Sequence, residues 1–376
     1  MTTPDHNPNN RNTSGRLAFL DWMRGFAVLI ILQGHVFDSY TRPELRNQAP
    51  YMFSQFMGGI APAIFLFLTG ITMAFLIDRS ERRGLGPVER LKTGLRRSGY
   101  LLMLAFLFRA QMWIFGYPFS GWHDLLKVDV LNLMGITIAI LSLTALLTTP
   151  QRVRAAAAIG AVAAGLAPLV SSVNWSWLPT PVSDYFVPNL NHFAFFPWAS
   201  FIAFGLSAGS ILRLTRSEDV ARLMQWATLA GILLVMAGQY FSSVGWSIYP
   251  HSEFWLNSPS LIVMKLGVLM VMLAAAFLWC EYGVGDKWSP IRQMGTTSLI
   301  VYWVHIELVY GRWFWYFKGH LNAIQCVLCA IVLMAMMLAL SLLRTHWTAA
   351  VQLFRMHFPS MAGWTGGLEP QRVSGD

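Results

Sequence analysis

The chain contains about ten apolar segments, each close to the length needed to cross a lipid bilayer as a helix. A spanning helix needs about 20 predominantly apolar residues. With 55% hydrophobic and 12% charged residues among 376, the chain is too apolar for an ordinary soluble domain. We therefore predict an all-α polytopic membrane bundle of about ten transmembrane helices. The segments are residues 17–40, 58–77, 98–116, 128–148, 155–172, 195–212, 223–241, 260–279, 294–310 and 321–343.

Two polar tails flank this apolar core. Residues 1–15 are Asn-rich and are expected to be disordered. The first apolar segment lacks a small-residue cleavage site, so we interpret it as a retained helix that opens a transmembrane domain over residues 16–345. Residues 346–376 are expected to form a cytoplasmic tail. The three cysteines lie within or at the end of apolar runs and predict reduced thiols, with no metal site.

The distribution of Lys and Arg predicts the orientation in the membrane. With the N-terminus in the cytoplasm, nineteen of these residues fall on the cytoplasmic side and five on the far side, and three lie within helices. This is a strong positive-inside bias, so both termini are expected to be cytoplasmic, in the inner membrane of the cell. Because the positive charges are concentrated on the cytoplasmic side of the membrane, the net charge of +9 does not indicate nucleic-acid binding.

The first apolar segment carries three ionisable residues, Asp21, Arg24 and His35. An ionisable group inside a spanning helix is costly and marks a functional site by default. At about 100° per residue the three lie within about 60° of one another, on one face of the helix. Asp21 and His35 are about 21 Å apart along the axis, so they cannot touch. The sequence predicts a polar tunnel with these residues towards its two ends.

Other polar residues lie within or beside the apolar segments. Arg109 is expected to pair with Asp129 or Glu307, although it also suits binding of a substrate. Asp129 and Asn132 share a helical face and are candidates to line the tunnel. His123, Asp124 and Lys127 belong to a predicted outer loop, where solvated side chains are more common than catalytic ones.

Short motifs across the chain resemble a known superfamily of transmembrane acyltransferases. The first helix, LDWMRGFAVLIILQGH, has an Asp-x-x-Arg opening and a distal His, and it is similar to that of acyltransferase family 3. Three further matches resemble the heparan-alpha-glucosaminide N-acetyltransferase branch. They are the D-x-x-R-G of Asp21, Arg24 and Gly25, the P-x-x-F-x-F-x-x-G of Pro62, Phe65, Phe67 and Gly70, and the late S-hydrophobic-Y-x-x-H helix with Ser298, Tyr302 and His305.

Two stretches depart from that branch. Its long-chain animal members carry a catalytic His in the loop after the first helix, whereas residues 45–54 here contain none. His35 is therefore the substitute candidate. Members also tend to have a Gln-Arg pair on the fourth helix, where this sequence has Asn132 and Leu133.

The resemblance implies transfer of an acetyl group from acetyl-CoA to a saccharide or glycolipid acceptor. Such a reaction needs a general base, a donor to the developing oxyanion and a cavity that excludes bulk water. His35 is the candidate base, since an ordinary imidazole, with a pKa near 6.5, is mostly neutral at physiological pH. A capping or interhelical hydrogen-bonding role is the alternative. His305 is expected to matter less than His35. It is expected either to orient the acceptor or assist the oxyanion, or to be a buried histidine bonded to Glu307 or a carbonyl.

Coenzyme A carries several phosphates, so the hypothesis requires a basic inner surface. The segment ERLKTGLRRSG supplies Arg90, Lys92, Arg96 and Arg97 just before a helix, of which one or two are expected to hold phosphate. A positive-inside loop has the same composition whatever the function.

Several alternatives stay open at this stage. A proton-coupled transporter or flippase also places Asp, Arg and His within the membrane, although no matching halves with broken helices are evident. The acceptor group, amine or hydroxyl, is open, as is a homodimer. Acetyl-CoA is expected as a substrate, with no permanently bound cofactor, and the lipid bilayer and the glycan as the other partners.

Overall fold

The computed structural model describes residues 17–118, 120–244, 247–285 and 287–357, and over these residues the chain is helical, with no β-strand. The tail predicted at residues 1–15 lies outside the described residues, as do residues 358–376. The α-helices are α1 (Ala18–Tyr40), α2 (Ala49–Gly58), α3 (Ala61–Arg82), α4 (Pro87–Gly116), α5 (Trp122–Leu126), α6 (Val130–Ser142), α7 (Thr149–Ser172), α8 (Thr180–Ser183), α9 (Phe195–Leu214), α10 (Val220–Ser243), α11 (Pro259–Leu278), α12 (Pro290–Thr296), α13 (Ser298–Tyr310) and α14 (Ala323–His357).

Nine helical segments of the described chain are long and apolar enough to cross a membrane, and α13 is a shorter apolar helix. The predicted polytopic all-α bundle of about ten helices is thereby confirmed. The nine segments are Ala18–Tyr40, Ala49–Arg82, Pro87–Gly116, Trp122–Leu146, Thr149–Ser172, Phe195–Leu214, Ser217–Ser243, Pro259–Gly283 and Ala323–Trp347.

Helix starts follow local sequence signals. Proline occupies the first turn of α3, α4, α7, α11 and α12, where its missing N–H costs nothing and its fixed φ suits the helix. Helix α7 also has a capping box between Thr148 and Gln151, and α6 has one between Asp129 and Asn132. These caps satisfy backbone N–H groups that a helix leaves unpaired at its start.

Helix α1 is the centre of the bundle. It packs against α2, α3, α11, α12, α13 and α14. Its contact with α12 depends on Gly25 and Gly295, because a Cβ on either would collide with a backbone carbonyl of the other helix. Gly70 of α3 and Gly205 of α9 make an equally close crossing. Small residues at such crossings let helix backbones approach in a membrane, so Gly25 and Gly70 of the sequence motifs have packing roles.

Two details differ from the sequence prediction. The segment expected as one helix over 294–310 is divided at Thr297, whose φ of −115° and ψ of 19° are not helical. Helix α12 is held against α1 by the Gly295 contact, and α13 continues separately. The stretch 45–54 was expected to be a loop, but most of it belongs to α2, which ends at Gly58 just before α3.

Candidate active site

One cavity of about 1190 Å³ runs through the bundle beside α1. At one end it reaches Arg90 and Arg97 of α4, and we call this the arginine end. At the other it reaches His35 and Asp38 of α1, and we call this the histidine end. Arg24, eleven residues before His35 on α1, also lines the cavity, which corresponds to about 16 Å along the helix. The cavity therefore follows the predicted polar tunnel from Arg24 to His35, but it does not include Asp21.

His35 and His305 form a hydrogen-bonded pair between α1 and α13. Nδ1 of His35 lies 3.1 Å from Nε2 of His305. The ring centroids are 5.3 Å apart and the ring planes differ by 18°, so the rings meet edge to edge. Nδ1 of His305 lies 2.7 Å from the carbonyl oxygen of Val301, one turn earlier on α13.

This chain of contacts determines which nitrogens carry protons. A carbonyl oxygen only accepts, so His305 must donate from Nδ1 to Val301. In neutral His305 the other nitrogen, Nε2, then accepts, and His35 must donate to it from Nδ1. Neutral His35 is left with a lone pair on Nε2, the atom that makes no hydrogen bond to the described residues. His35 lines the cavity, whereas His305 is fully buried and does not.

Asp38 is a cavity residue that the sequence analysis missed. Its carboxylate accepts a hydrogen bond from the hydroxyl of Tyr310 at 2.8 Å and a longer one from Tyr51 at 3.5 Å. Arg46 donates to its backbone carbonyl. Asp38 follows His35 by three residues, so the two share a helix face, and this spacing was the available signal.

Asp21 and Arg24 form an ion pair near the start of α1. Arg24 Nη1 lies 3.0 Å from Asp21 Oδ1, and Arg24 Nη2 donates to Thr72 on α3 at 3.2 Å. Asp21 is buried, and only Arg24 lines the cavity. Arg24 and His35 line separate regions of one cavity, which agrees with the sequence prediction. Asp21 does not line the cavity but orients Arg24 through the ion pair.

The four basic residues of the ERLKTGLRRSG segment do not share a face of α4. Arg90 and Arg97 line the cavity, seven residues and therefore two helical turns apart. Lys92 and Arg96 are exposed and do not line it. Arg90 is buried and pairs with Glu81 at 3.0 Å, yet its Nε makes no hydrogen bond to the described residues.

Arg109 pairs with Asp129, as predicted, with Nε 3.3 Å from Oδ2. The other carboxylate oxygen of Asp129 caps α6 by accepting from the N–H groups of Leu131 and Asn132. Both members of the ion pair line the cavity, but Asn132 does not. Its side chain caps α6 and donates to the hydroxyl of Tyr185, so the expectation that Asn132 lines the tunnel is wrong. Burial raises the pKa of Tyr185, and the hydroxyl stays protonated at neutral pH.

Glu307 and Lys265 do not line the cavity. Glu307 is buried and accepts hydrogen bonds from Gln111 of α4 and from Trp313. It holds α13 against α4 and is not bonded to His305, so its candidate substrate contact is not supported by the geometry. Lys265 of α11 donates to the carbonyl oxygen of Gly59 at 3.0 Å.

Two members of the late motif, Ser298 and Tyr302, line the cavity on α13. The Tyr302 ring lies 5.8 Å from that of His305 and 5.6 Å from that of Phe108. Its hydroxyl makes no hydrogen bond to the described residues, so it is available to a molecule in the cavity. No group of three or more His, Cys, Asp or Glu in the described chain has the geometry of a metal site.

The fold and the site together define a multi-pass membrane protein with an internal cavity that several ionisable side chains line. A family model described as an acyltransferase domain, that of acyltransferase family 3, matches residues 17–345. The chain belongs to this family, and it is a membrane acyltransferase. The resemblance to acyltransferase family 3 read from the first helix is thus confirmed. A comparison with curated proteins finds no match.

Proposed function

We propose that the protein transfers an acetyl group from cytoplasmic acetyl-CoA to an amine or hydroxyl of a saccharide on the opposite side of the inner membrane. The observation that carries this proposal is the single cavity that joins Arg90 and Arg97 at one end to His35 at the other. A donor bound by its phosphates at the arginine end extends its acyl arm towards the histidine end. The positive-inside bias supports placing the arginine end in the cytoplasm.

Arg90 and Arg97 are the proposed phosphate ligands. Both face the cavity, and guanidinium groups suit phosphate because they donate several hydrogen bonds in one plane. Arg90 forms an ion pair with Glu81 and keeps one donor, Nε, without a hydrogen bond to the described residues. Lys92 and Arg96 are assigned a role in orienting α4 in the membrane through their positive charge.

His35 is the proposed general base. The acceptor oxygen or nitrogen attacks the thioester carbonyl carbon while its proton moves to Nε2 of His35. The carbonyl oxygen becomes negatively charged in the tetrahedral intermediate, and we assign the hydroxyl of Tyr302, which lines the same cavity, as the donor to it. When the intermediate collapses, the carbon–sulfur bond breaks, and the imidazolium returns the proton to the CoA sulfur. The products are the acetylated acceptor and free CoA, and His35 is neutral again.

His305 is proposed to be a positioning residue and not an acid or base. Both of its ring nitrogens are engaged, one by Val301 and one by His35. It therefore cannot reach the acceptor or the oxyanion, but it holds His35 in the tautomer that leaves Nε2 free. Asp38 is proposed to accept a hydrogen bond from the acceptor beside the reacting group, because its carboxylate lines the cavity one turn from His35.

The experiment that tests this function uses the full chain in lipid nanodiscs with acetyl-CoA labelled in the acetyl group. We expect acetyl-CoA to bind more weakly as salt is raised, since the contacts are phosphate to arginine. Release of free CoA should depend on an added cell-envelope glycan fraction, and the label should appear in the glycan. Absence of acetyl-CoA binding at low salt would overturn the proposal. Proton-driven movement of a glycan without CoA release would favour a transporter.

A further inference from the structure

A second, smaller pocket of about 200 Å³ adjoins the histidine end of the cavity. Asp124 and Lys127 line both spaces and form the wall between them. The remaining polar side chains of this pocket come from the segment between α4 and α6 and from the segment between α7 and α9. They are His123, Thr180, Asp184 and His192.

His192 indicates that this pocket is built to hold a ligand. Its side chain is 8% exposed, and Nε2 lies 3.7 Å from Asp184 Oδ1, too far for a hydrogen bond. Nε2 makes no hydrogen bond to the described residues. Buried polar atoms are nearly always paired, and a group bound in the pocket, which His192 lines, would supply the missing partner.

The charges of the pocket favour an uncharged ligand rich in hydroxyl groups. Asp124 and Asp184 disfavour an anion, and Lys127 disfavours a cation. A hydroxyl group can donate to either carboxylate and accept from the lysine, and it can donate to or accept from His192. No three of the His and Asp residues here have metal-site geometry within the described chain. The volume is below the roughly 300–1,000 Å³ of pockets for drug-sized ligands, so it suits one ring and not a longer chain.

We propose that this pocket is an acceptor subsite that holds the hydroxyl-bearing sugar ring next to the ring that is acetylated at His35. The proposal rests on the proposed function and extends it, because it makes an oligosaccharide the preferred acceptor over a single sugar. The neighbouring ring is held across the wall formed by Asp124 and Lys127, which places its partner ring at the histidine end. His123 and Asp124, expected to be solvated loop residues, would then take part in recognition.

The test compares two defined acceptors, glucosamine and glucosamine linked β-1,4 to an uncharged N-acetylglucosamine ring, with the full chain in nanodiscs. We expect His192→Phe to raise the KM for the disaccharide about tenfold, the effect of losing roughly one hydrogen bond. The KM for glucosamine, the kcat and the Kd for acetyl-CoA should not change. His192→Gln should recover much of the disaccharide affinity, because its amide keeps a donor and an acceptor.

His251→Phe is the matched control, since His251 is an exposed histidine of another loop and lines neither space. An equal KM for the disaccharide in wild type and His192→Phe, with the same melting temperature, would overturn the subsite. So would equal changes for the two sugars. Binding of acetyl-CoA without acetylation of either sugar would also overturn the subsite but leave the donor site standing. Absence of acetyl-CoA binding would instead overturn the proposed function itself.

Discussion

His305 on α13 lies behind His35 on α1, with its Nε2 3.1 Å from Nδ1 of the cavity histidine. The two histidines therefore have different roles, although both lie on membrane helices. His305 is fixed by the carbonyl of Val301 and in turn fixes the proton of His35. Only His35 presents a nitrogen to the cavity.

His305→Phe should lower kcat about fivefold, because a hydrogen bond that orients the base contributes roughly 1 kcal/mol. The Kd for acetyl-CoA should stay the same. Nitrogen NMR of ¹⁵N-histidine-labelled protein should show neutral His35 protonated at Nδ1 in the wild type and a mixture of tautomers in the variant. A wild type in which His35 carries its proton on Nε2 would contradict this positioning role.

Arg97→Ala should weaken acetyl-CoA binding about tenfold. This is at the low end of the range for losing a hydrogen bond to a charged group, because Arg97 is exposed. The salt dependence of Kd should become shallower as one phosphate contact is lost. Arg96→Ala is the matched control, one residue earlier on the same helix but outside the cavity. Calorimetry in nanodiscs measures both, and equal losses in the two variants would show that only the overall basic charge matters.

Tyr302→Phe should slow acetyl transfer about 100-fold, because this is the usual cost of removing one hydrogen-bond donor to an oxyanion. The affinity for acetyl-CoA should change little. Tyr310→Phe should cost less, because the Tyr310 hydroxyl is already bonded to Asp38. Single-turnover rates with bound acetyl-CoA compare the two directly. A larger loss for Tyr310→Phe would mean that the oxyanion donor has been wrongly assigned.

Asp129→Ala should lower the melting temperature, since it removes the cap of α6 and leaves Arg109 without its carboxylate. Loss of a cap costs about 1 kcal/mol, and a poorly solvated unpaired charge adds to it. Asp129→Asn keeps an oxygen that can cap α6, so its melting temperature should lie between those of the wild type and Asp129→Ala. Asp219→Ala, at a more exposed ion pair with Arg222, should change stability little. Thermal unfolding in detergent gives the order of the four proteins.

Much of this fold could be predicted from the sequence because membrane helices are determined by local apolar length. The same reasoning placed Asp21, Arg24 and His35 on one helix and anticipated the Arg109–Asp129 pair. It could not show that Arg90 and Arg97 face the cavity while Lys92 and Arg96 do not, since that depends on how α4 is rotated in the bundle.

Contacts between helices that are distant in the sequence also could not be predicted. The His35–His305 bond joins residues 270 positions apart, and the burial of His192 depends on packing between two loops. Asn132 was expected to line the tunnel because its spacing from Asp129 suits a shared face, but that spacing is equally that of a capping box.

The central claim is that Nε2 of His35 takes the acceptor's proton. Its most direct test is the single-turnover rate of acetyl transfer from bound acetyl-CoA in the wild type and in His35→Gln, measured at neutral pH. Gln keeps a hydrogen bond towards His305 but cannot titrate. The expected result is a rate about 100- to 10,000-fold lower in His35→Gln, with unchanged Kd for acetyl-CoA and melting temperature. A variant with the wild-type rate would contradict general-base catalysis by His35.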